Sequence, residues 1–131
     1  MQPTSGGTLL EAEDTGVENS LIQTKLSGFT GRGYLGNGNN HSRMLIKWTY
    51  NTPEAGAYIL EFRYTLSRSD VTPSDLAING TKTGEVEFWN TGIPGLWVWE
   101  RVTVNLEKGE NTIAITPEEY VMVDHVNIIK N

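Results

Sequence analysis

The sequence has no cysteine, and its basic residues are outnumbered: 10 Lys and Arg stand against 16 Asp and Glu, for a formal net charge of −6. The lack of cysteine excludes disulfide staples and thiolate–metal sites. The acidic balance argues against nucleic acid and anionic membranes as partners, because both require a basic surface. No apolar run approaches the length of a membrane span. The opening "MQPTSGG" also lacks the basic segment and apolar core of a signal peptide.

Glycine and aromatic residues are plentiful, with 14 Gly, four Trp, five Tyr and three Phe. The 131 residues suit one domain. Residues 1–7 have the composition of a linker, and we expect the domain to span residues 8–131. Short alternating segments separated by turn signals predict about eight or nine strands and no helix. The expected fold is therefore all-β, a β-sandwich of jelly-roll type, with another antiparallel sandwich as the alternative.

Side-chain alternation predicts which residues face the core. In "RMLIKWTY" and "AYILEFRYTL" the apolar residues share one face, and Trp48 is expected in the core. In "GEVEFWN" and "LWVWERVTVNL" three tryptophans have the opposite parity to the core residues, namely Trp89, Trp97 and Trp99. These indoles form either an exposed platform or a second buried layer. Asn79-Gly80 predicts a two-residue hairpin turn.

Two carboxylates stand out in "GTLLEAEDTG", because Glu11 and Glu13 would point to the same face of a strand. Three interpretations are open for this pair: catalytic carboxylates, metal ligands, or a solvated strand edge. The spacing of the two residues alone does not decide among them.

Several motifs occur in a specific order: "EAE", "GFTGRGYLG", "PEAGAYILEFRY", "LAING", "WERVTVNLEKGENTIAI" and "VDHVNI". From about Leu9 to Ile129 the sequence resembles the carbohydrate-binding modules of family 35 and the related family 6. The resemblance implies a galactose-binding-like jelly roll with a structural Ca²⁺. It assigns the ligands to the side chains of Glu11, Glu13 and Asp124, with backbone carbonyls expected from Thr30 and Gly33. Calcium prefers such oxygen ligands.

The same resemblance implies a sugar site in the loops at one end of the sandwich. Tyr34 matches the aromatic residue of the "GY" motif, and Trp97 is the nearest match to a family Trp. Met122 occupies the position of a family Asn, so the polar contacts must differ from the usual set. Nearby loops offer replacements for it. The expected ligand-binding residues are Tyr34, Asn37, Asn39, Asn40, Arg68, Trp89, Trp97 and Trp99.

By resemblance, the chain is a secreted, monomeric, non-catalytic module that targets a covalently linked enzyme to plant cell-wall polysaccharide. Uronic-acid-containing pectin or xylan is the expected ligand, with a second, ligand-associated Ca²⁺ as a further option. Mannan or galactose-containing chains are the alternative within the same fold. Two other classes are a small glycan-active enzyme with paired carboxylates and an adhesion domain without a sugar site.

Overall fold

The computed structural model describes most of the domain. The described residues are 8–11, 16–18, 20–23, 28, 30, 34–37, 45–66, 70–93, 95–118 and 121–131. Within these ranges the chain forms strands and no helix, and hence no helix long and apolar enough to cross a membrane. The predicted linker 1–7 lies outside the described residues, so the division at residue 8 stays a prediction.

In the described parts of the chain, eleven strands make up two antiparallel sheets. They are β1 (Thr8–Glu11), β2 (Gly16–Glu18), β3 (Ser20–Gln23), β4 (Tyr34–Asn37), β5 (Leu45–Thr52), β6 (Gly56–Thr65), β7 (Val71–Ile78), β8 (Thr81–Trp89), β9 (Val98–Leu106), β10 (Gly109–Pro117) and β11 (Met122–Lys130). One sheet has the order β3-β4-β11-β6-β9, with β1 also pairing β11, and the other has the order β2-β5-β10-β7-β8. The predicted all-β sandwich is confirmed.

The core lies between the two sheets and follows the predicted alternation. Trp48 of β5 is 2% exposed, and Leu60 and Phe62 of β6 are fully buried. Phe62 packs edge-to-face on Phe88 of the opposite sheet, with ring centroids 6.2 Å apart. Burial of each such side chain stabilises the fold by about 1.5–3 kcal/mol. The sandwich is therefore held mainly by aromatic and branched side chains that the period-two pattern identifies.

The turn between β7 and β8 is the predicted Asn79-Gly80 hairpin. Both residues have positive φ, 53° and 83°, as a type I′ turn requires. The turn is also tied to β10, because the Asn79 backbone N–H donates to the Thr112 carbonyl at 2.9 Å. The Asn79 side-chain amide donates to Asn111 Oδ1 at 3.0 Å.

The short strands β2 and β3 are not anticipated by the sequence pattern. Each has only three or four residues, which is too few for a reliable alternation. Their ladders come from tertiary pairing, β2 with β5 and β3 with β4. Neighbours elsewhere in the fold, and not local propensity, therefore determine these two strands.

Several strands end or begin at one end of the sandwich, which we call the loop end. Here β6 ends at Thr65, β8 ends at Trp89 and β9 begins at Val98. The ladders confirm this alignment, since Val71 pairs with Trp89 and Tyr64 pairs with Val98. The connections that follow β6 and β8 therefore leave the two sheets side by side.

Candidate functional site

A β-bulge in β11 brings two polar side chains to the outer face of the first sheet. The β6–β11 register places Val123 opposite Tyr64 and His125 opposite Arg63, so Asp124 is an extra residue. A bulge re-aims side chains locally. Arg63 donates to Asp124 Oδ2 at 2.8 Å, and His125 Nδ1 lies 3.3 Å from the same oxygen.

The Asp124 carboxylate is fully buried and densely hydrogen-bonded. The Thr30 backbone N–H lies 3.0 and 3.1 Å from its two oxygens, and the Thr30 hydroxyl donates to Oδ2 at 3.2 Å. Burial alone would raise the pKa of Asp124, but hydrogen bonds from His125, Arg63 and Thr30 outweigh it and hold the pKa below its usual value. The group is therefore a buried, ionised carboxylate.

We expect acid to destabilise the fold through Asp124. Its pKa is lower in the folded chain than in the unfolded chain, where it is about 3.9. The resulting stability is fully present above the unfolded pKa and is lost as pH falls through the folded pKa. Urea denaturation of wild type and Asp124→Asn between pH 7 and pH 3 tests this. The difference in stability between the two should shrink below about pH 4, and a constant difference would contradict the assignment.

Two tryptophans enclose the Arg63 guanidinium, which lies 5.4 Å from the Trp97 ring centroid and 5.0 Å from that of Trp99. Arg63 also donates to the Gly28 carbonyl at 2.6 Å. Trp99 Nε1–H donates to His125 Nε2 at 3.3 Å. That bond leaves Nε2 as the acceptor, so the proton of a neutral His125 is assigned to Nδ1, facing Asp124.

Trp97 belongs to this layer and is 8% exposed. Its ring meets the fully buried Tyr34 ring edge-on, with centroids 5.2 Å apart. Gly28 also lies close to this ring: a Cβ added there would come within 3.0 Å of the Trp97 side chain, and Gly28 has φ +97°. The sequence allows two alternatives for these indoles, an exposed platform or a second buried layer. Trp97 lies in a buried layer, and Trp99 is partly buried.

The expected calcium ligands fall partly within this cluster. Backbone pairing places Glu11 of β1 opposite His125, next to Asp124. Glu13 and Gly33 lie outside the described residues, and Thr30 contacts Asp124 through its N–H and hydroxyl. A buried, ionised carboxylate suits a cation, although Arg63 already supplies one positive charge. No group of three or more acidic or His residues that could hold a metal occurs among the described residues. The calcium site stays a prediction.

The expected sugar-binding residues differ in their exposure, and the structure describes only some of them. Trp89, at the end of β8, is 55% exposed. Asn37 is the last residue of β4, while Asn39, Asn40 and Arg68 lie outside the described residues. Their contacts with a ligand stay predictions. The same holds for Tyr34, Trp97 and Trp99 in the layer described above.

Trp89 is accompanied by two further exposed apolar side chains on the connection from β8 to β9. Ile93 is 64% exposed and Leu96 is 48% exposed. The sequence pattern did not single out either residue, although both lie in "NTGIPGLW" beside the predicted Trp97. We call Trp89, Ile93 and Leu96 the loop-end apolar surface. Large exposed apolar side chains that group at one end of a fold are candidate binding residues.

Hydrogen bonds fix the segment that carries this surface to the ends of β6 and β7. The Asn90 N–H donates to the Asp70 carbonyl at 2.8 Å, and the Thr91 N–H donates to the Leu66 carbonyl at 2.7 Å. The Leu66 N–H donates in return to the Thr91 hydroxyl at 3.1 Å. The Gly95 N–H reaches the Thr65 hydroxyl at 3.2 Å. The backbone that carries the loop-end apolar surface is therefore held in place before a ligand binds.

Tyr64 positions Trp89 directly. Its hydroxyl accepts from the Trp89 N–H at 3.0 Å and donates to the Trp89 carbonyl at 2.9 Å. Burial, together with the charge of Glu100, raises the pKa of Tyr64 to about 12, despite an opposing contribution from the bond to Trp89. The hydroxyl therefore keeps its proton at all ordinary pH values and holds both bonds.

Comparison with solved structures shows what this architecture is. The structure superimposes on a family 35 carbohydrate-binding module from Clostridium thermocellum with a TM-score of 0.89 and 27% sequence identity, covering 97% of this chain and 100% of that one. The chain is thus similar to the family 35 carbohydrate-binding modules over nearly its whole length. The predicted jelly-roll sandwich is confirmed by the same match. No protein-family model matches the chain.

Two further similarities place the chain in context. Xyl-CBM35, solved with a disaccharide that contains glucuronic acid, has a TM-score of 0.81 and 25% identity, covering 94% of this chain and 93% of that one. The exo-β-D-glucosaminidase of Amycolatopsis orientalis is 31% identical over 104 residues, which is 79% of this chain. The chain spans only 10% of that curated relative's length, so the module corresponds to a small part of a large enzyme.

Proposed function

We propose that this chain is a family 35 module, a non-catalytic domain that binds polysaccharide at its loop end. The observation that carries the proposal is the loop-end apolar surface around Trp89. An indole that is 55% exposed costs free energy in water, and here the Tyr64 hydroxyl binds both the N–H and the carbonyl of the Trp89 backbone. A flat, rigid ring is suited to stacking on the C–H face of a pyranose, with neighbouring polar groups binding the hydroxyls.

The proposed ligand is plant cell-wall polysaccharide that contains uronic acid, such as pectin or glucuronoxylan. The support is the similarity to Xyl-CBM35, which binds a disaccharide containing glucuronic acid. A uronate needs a counter-charge on a protein whose net charge is −6. Arg68 or a second, ligand-associated Ca²⁺ would supply that charge. Mannan and galactose-containing chains are the neutral alternatives.

The module is proposed to act in a secreted enzyme, as a monomer that holds a linked catalytic domain on its polysaccharide substrate. Support comes from the glucosaminidase, in which the similar segment is about a tenth of a much longer chain. Tethering raises the local concentration of the catalytic domain at the substrate without any new catalytic group. The module itself should therefore bind and not cleave.

Affinity electrophoresis tests the proposed function. The isolated chain is run in native gels that contain pectin, glucuronoxylan, mannan, galactan or no polysaccharide. Retardation in at least one polysaccharide gel, strongest with a uronate-containing one, is the expected result. Retardation only in mannan or galactan would favour the neutral alternative. Migration unchanged in every gel would contradict sugar binding, and release of reducing sugar would contradict the non-catalytic role.

We expect calcium removal to lower the melting temperature. In the proposal, the side chains of Glu11, Glu13 and Asp124 bind a structural Ca²⁺ together with the carbonyls of Thr30 and Gly33. The ion would join the first strand to the last, and it stabilises only the folded state. Thermal unfolding is compared with excess EDTA, with EDTA followed by excess Ca²⁺, and in Glu11→Gln. EDTA should lower the midpoint and Ca²⁺ restore it, whereas Glu11→Gln should respond less. An unchanged wild-type midpoint in EDTA would rule out the structural ion.

A further inference from the structure

A cavity of about 270 Å³ opens at the seam between the two sheets, away from the loop-end apolar surface. In the described part of the fold, β8 is the last strand of one sheet and β9 is the last strand of the other. Their edges face each other without a ladder between them. The floor of the cavity is the edge of the core, formed by Leu76, Ile78, Val102 and Val104.

Local backbone features create this seam cavity. The β7–β8 register pairs Gly84 with Leu76 and Lys82 with Ala77, so Thr83 is an extra residue in β8. Gly84 has the inward parity of Val86 and Phe88 but no side chain, and a Cβ added there would meet nothing within 4 Å. A bulge followed by a strand glycine is typical of a place where a ligand approaches the backbone closely.

The rim of the cavity is polar, and none of the described residues that line it is cationic. Its side chains are the hydroxyls of Thr83 and Thr103, the Asn105 amide and the Glu85 carboxylate. Lys82 of β8 is engaged by Asp75 at 3.1 Å and by Glu85 at 3.8 Å.

Acidic side chains continue along the same two strands. Burial raises the pKa of Glu100 in β9, and the negative charge of Glu87 in β8 raises it further, against a backbone hydrogen bond that lowers it. Arg101 of β9 is already paired with Glu61. The carboxylates of Glu85, Glu87 and Glu100 therefore disfavour an anion at the seam. A ligand with an apolar face and several neutral hydroxyls matches both the floor and the rim.

We propose that the seam cavity is a second binding site, one that takes a single neutral sugar ring. The volume is below the range of about 300–1,000 Å³ found for sites of drug-sized ligands, which favours one ring over an oligosaccharide. The C–H face of the ring would lie on the aliphatic floor, and the rim groups would bind its hydroxyls. This inference rests on the proposed function, because it gives the module a second contact with the same class of ligand. The two sites together would increase avidity for a polysaccharide chain.

The test is a titration of the ¹⁵N-labelled chain, followed by amide chemical shifts. The probes are D-xylose, D-mannose and D-galactose, with D-glucuronate as the charged counterpart. At least one neutral sugar is expected to shift the amides of residues 83–85 and 102–105. Glucuronate should bind there with a Kd at least about tenfold higher.

Gly84→Val is the decisive variant, because its side chain fills the cavity. No positive φ strains this position, and a Cβ there has open space, so the fold should be retained. Seam shifts should be lost in Gly84→Val, while any shifts at the loop end stay unchanged. Asn105→Ala, which removes a rim amide from an exposed position, is the second variant and should weaken the seam shifts severalfold.

Each outcome has a distinct meaning. If the sugars shift amides at the loop end but none at the seam, the second site is overturned and the proposed function is unaffected. If no sugar shifts amides at the seam or at the loop end, and no polysaccharide retards the chain, the second site and the proposed function are both overturned. Seam shifts that persist in Gly84→Val place the sugar elsewhere and overturn the site. If xenon shifts the seam amides and no sugar does, the cavity is an apolar void, and the second site is overturned.

Discussion

Arg63→Met is expected to lower the free energy of unfolding by about 3–5 kcal/mol, because it leaves a buried carboxylate without its cation. Asp124 is fully buried, and the Arg63 side chain is only 15% exposed, with 2.8 Å between the paired atoms. The methionine keeps much of the apolar packing against Trp97 and Trp99. The loss therefore reports mainly on charge. Urea denaturation at pH 7 in excess EDTA, so that no Ca²⁺ compensates the Asp124 charge, measures it.

The matched control is Lys82→Met, which breaks a pair between side chains that are 57% and 39% exposed. Exposed ion pairs contribute about 0–1 kcal/mol, so this variant should remain close to wild type. The double variant Arg63→Met with Asp124→Asn should recover part of the loss, because the uncompensated charge is gone. If Arg63→Met alone stays within about 1 kcal/mol of wild type, another cation neutralises Asp124, and Arg63 does not have the role assigned here.

Trp89→Ala is expected to weaken polysaccharide binding at least about thirtyfold, as loss of a central aromatic contact costs about 2 kcal/mol or more. The side chain is 55% exposed, so its removal leaves little or no cavity. Stability should therefore change by less than about 0.5 kcal/mol. Isothermal titration with the polysaccharide that retards wild type most measures the affinity.

Tyr64→Phe is the companion variant. It keeps the ring that packs on Phe88 at a centroid distance of 4.7 Å, but it loses both hydrogen bonds to the Trp89 backbone. Affinity should fall by less than in Trp89→Ala, because the indole is present but less well positioned. Affinity in Trp89→Ala equal to that of wild type would remove Trp89 from the sugar site.

Much of the fold can be predicted from the sequence, since period-two alternation requires only that one face of each strand be buried. Trp48, Phe62 and Phe88 are in the core as the pattern predicts. The outer face of the first sheet is harder to anticipate. Glu61 has outward parity yet is fully buried, because Arg101 pairs with its carboxylate and Asn127 donates to it at 2.7 Å. Alternation cannot reveal a second polar layer whose members come from distant strands.

The candidate site is predicted only in part for a similar reason. Asp124 could be singled out by resemblance, but its contacts with Arg63 and His125 depend on a bulge that shifts the register by one residue. No spacing rule applied to one strand shows that shift. Likewise, Trp89, Trp97 and Trp99 share a parity in the sequence, yet only Trp89 is highly exposed. Exposure depends on what covers each side chain, which is a property of the tertiary structure.

The indole N–H signals of the four tryptophans give the most direct test of sugar binding at the loop end. The ¹⁵N-labelled chain is titrated with an oligosaccharide of the polysaccharide that retards it, and each indole is assigned by substitution. Trp89 should show the largest shift and Trp48, in the core, should show none. Trp97, in the buried layer, should move little. A Trp89 signal that stays fixed while the sugar is bound would contradict the proposal that the loop-end apolar surface is the sugar site.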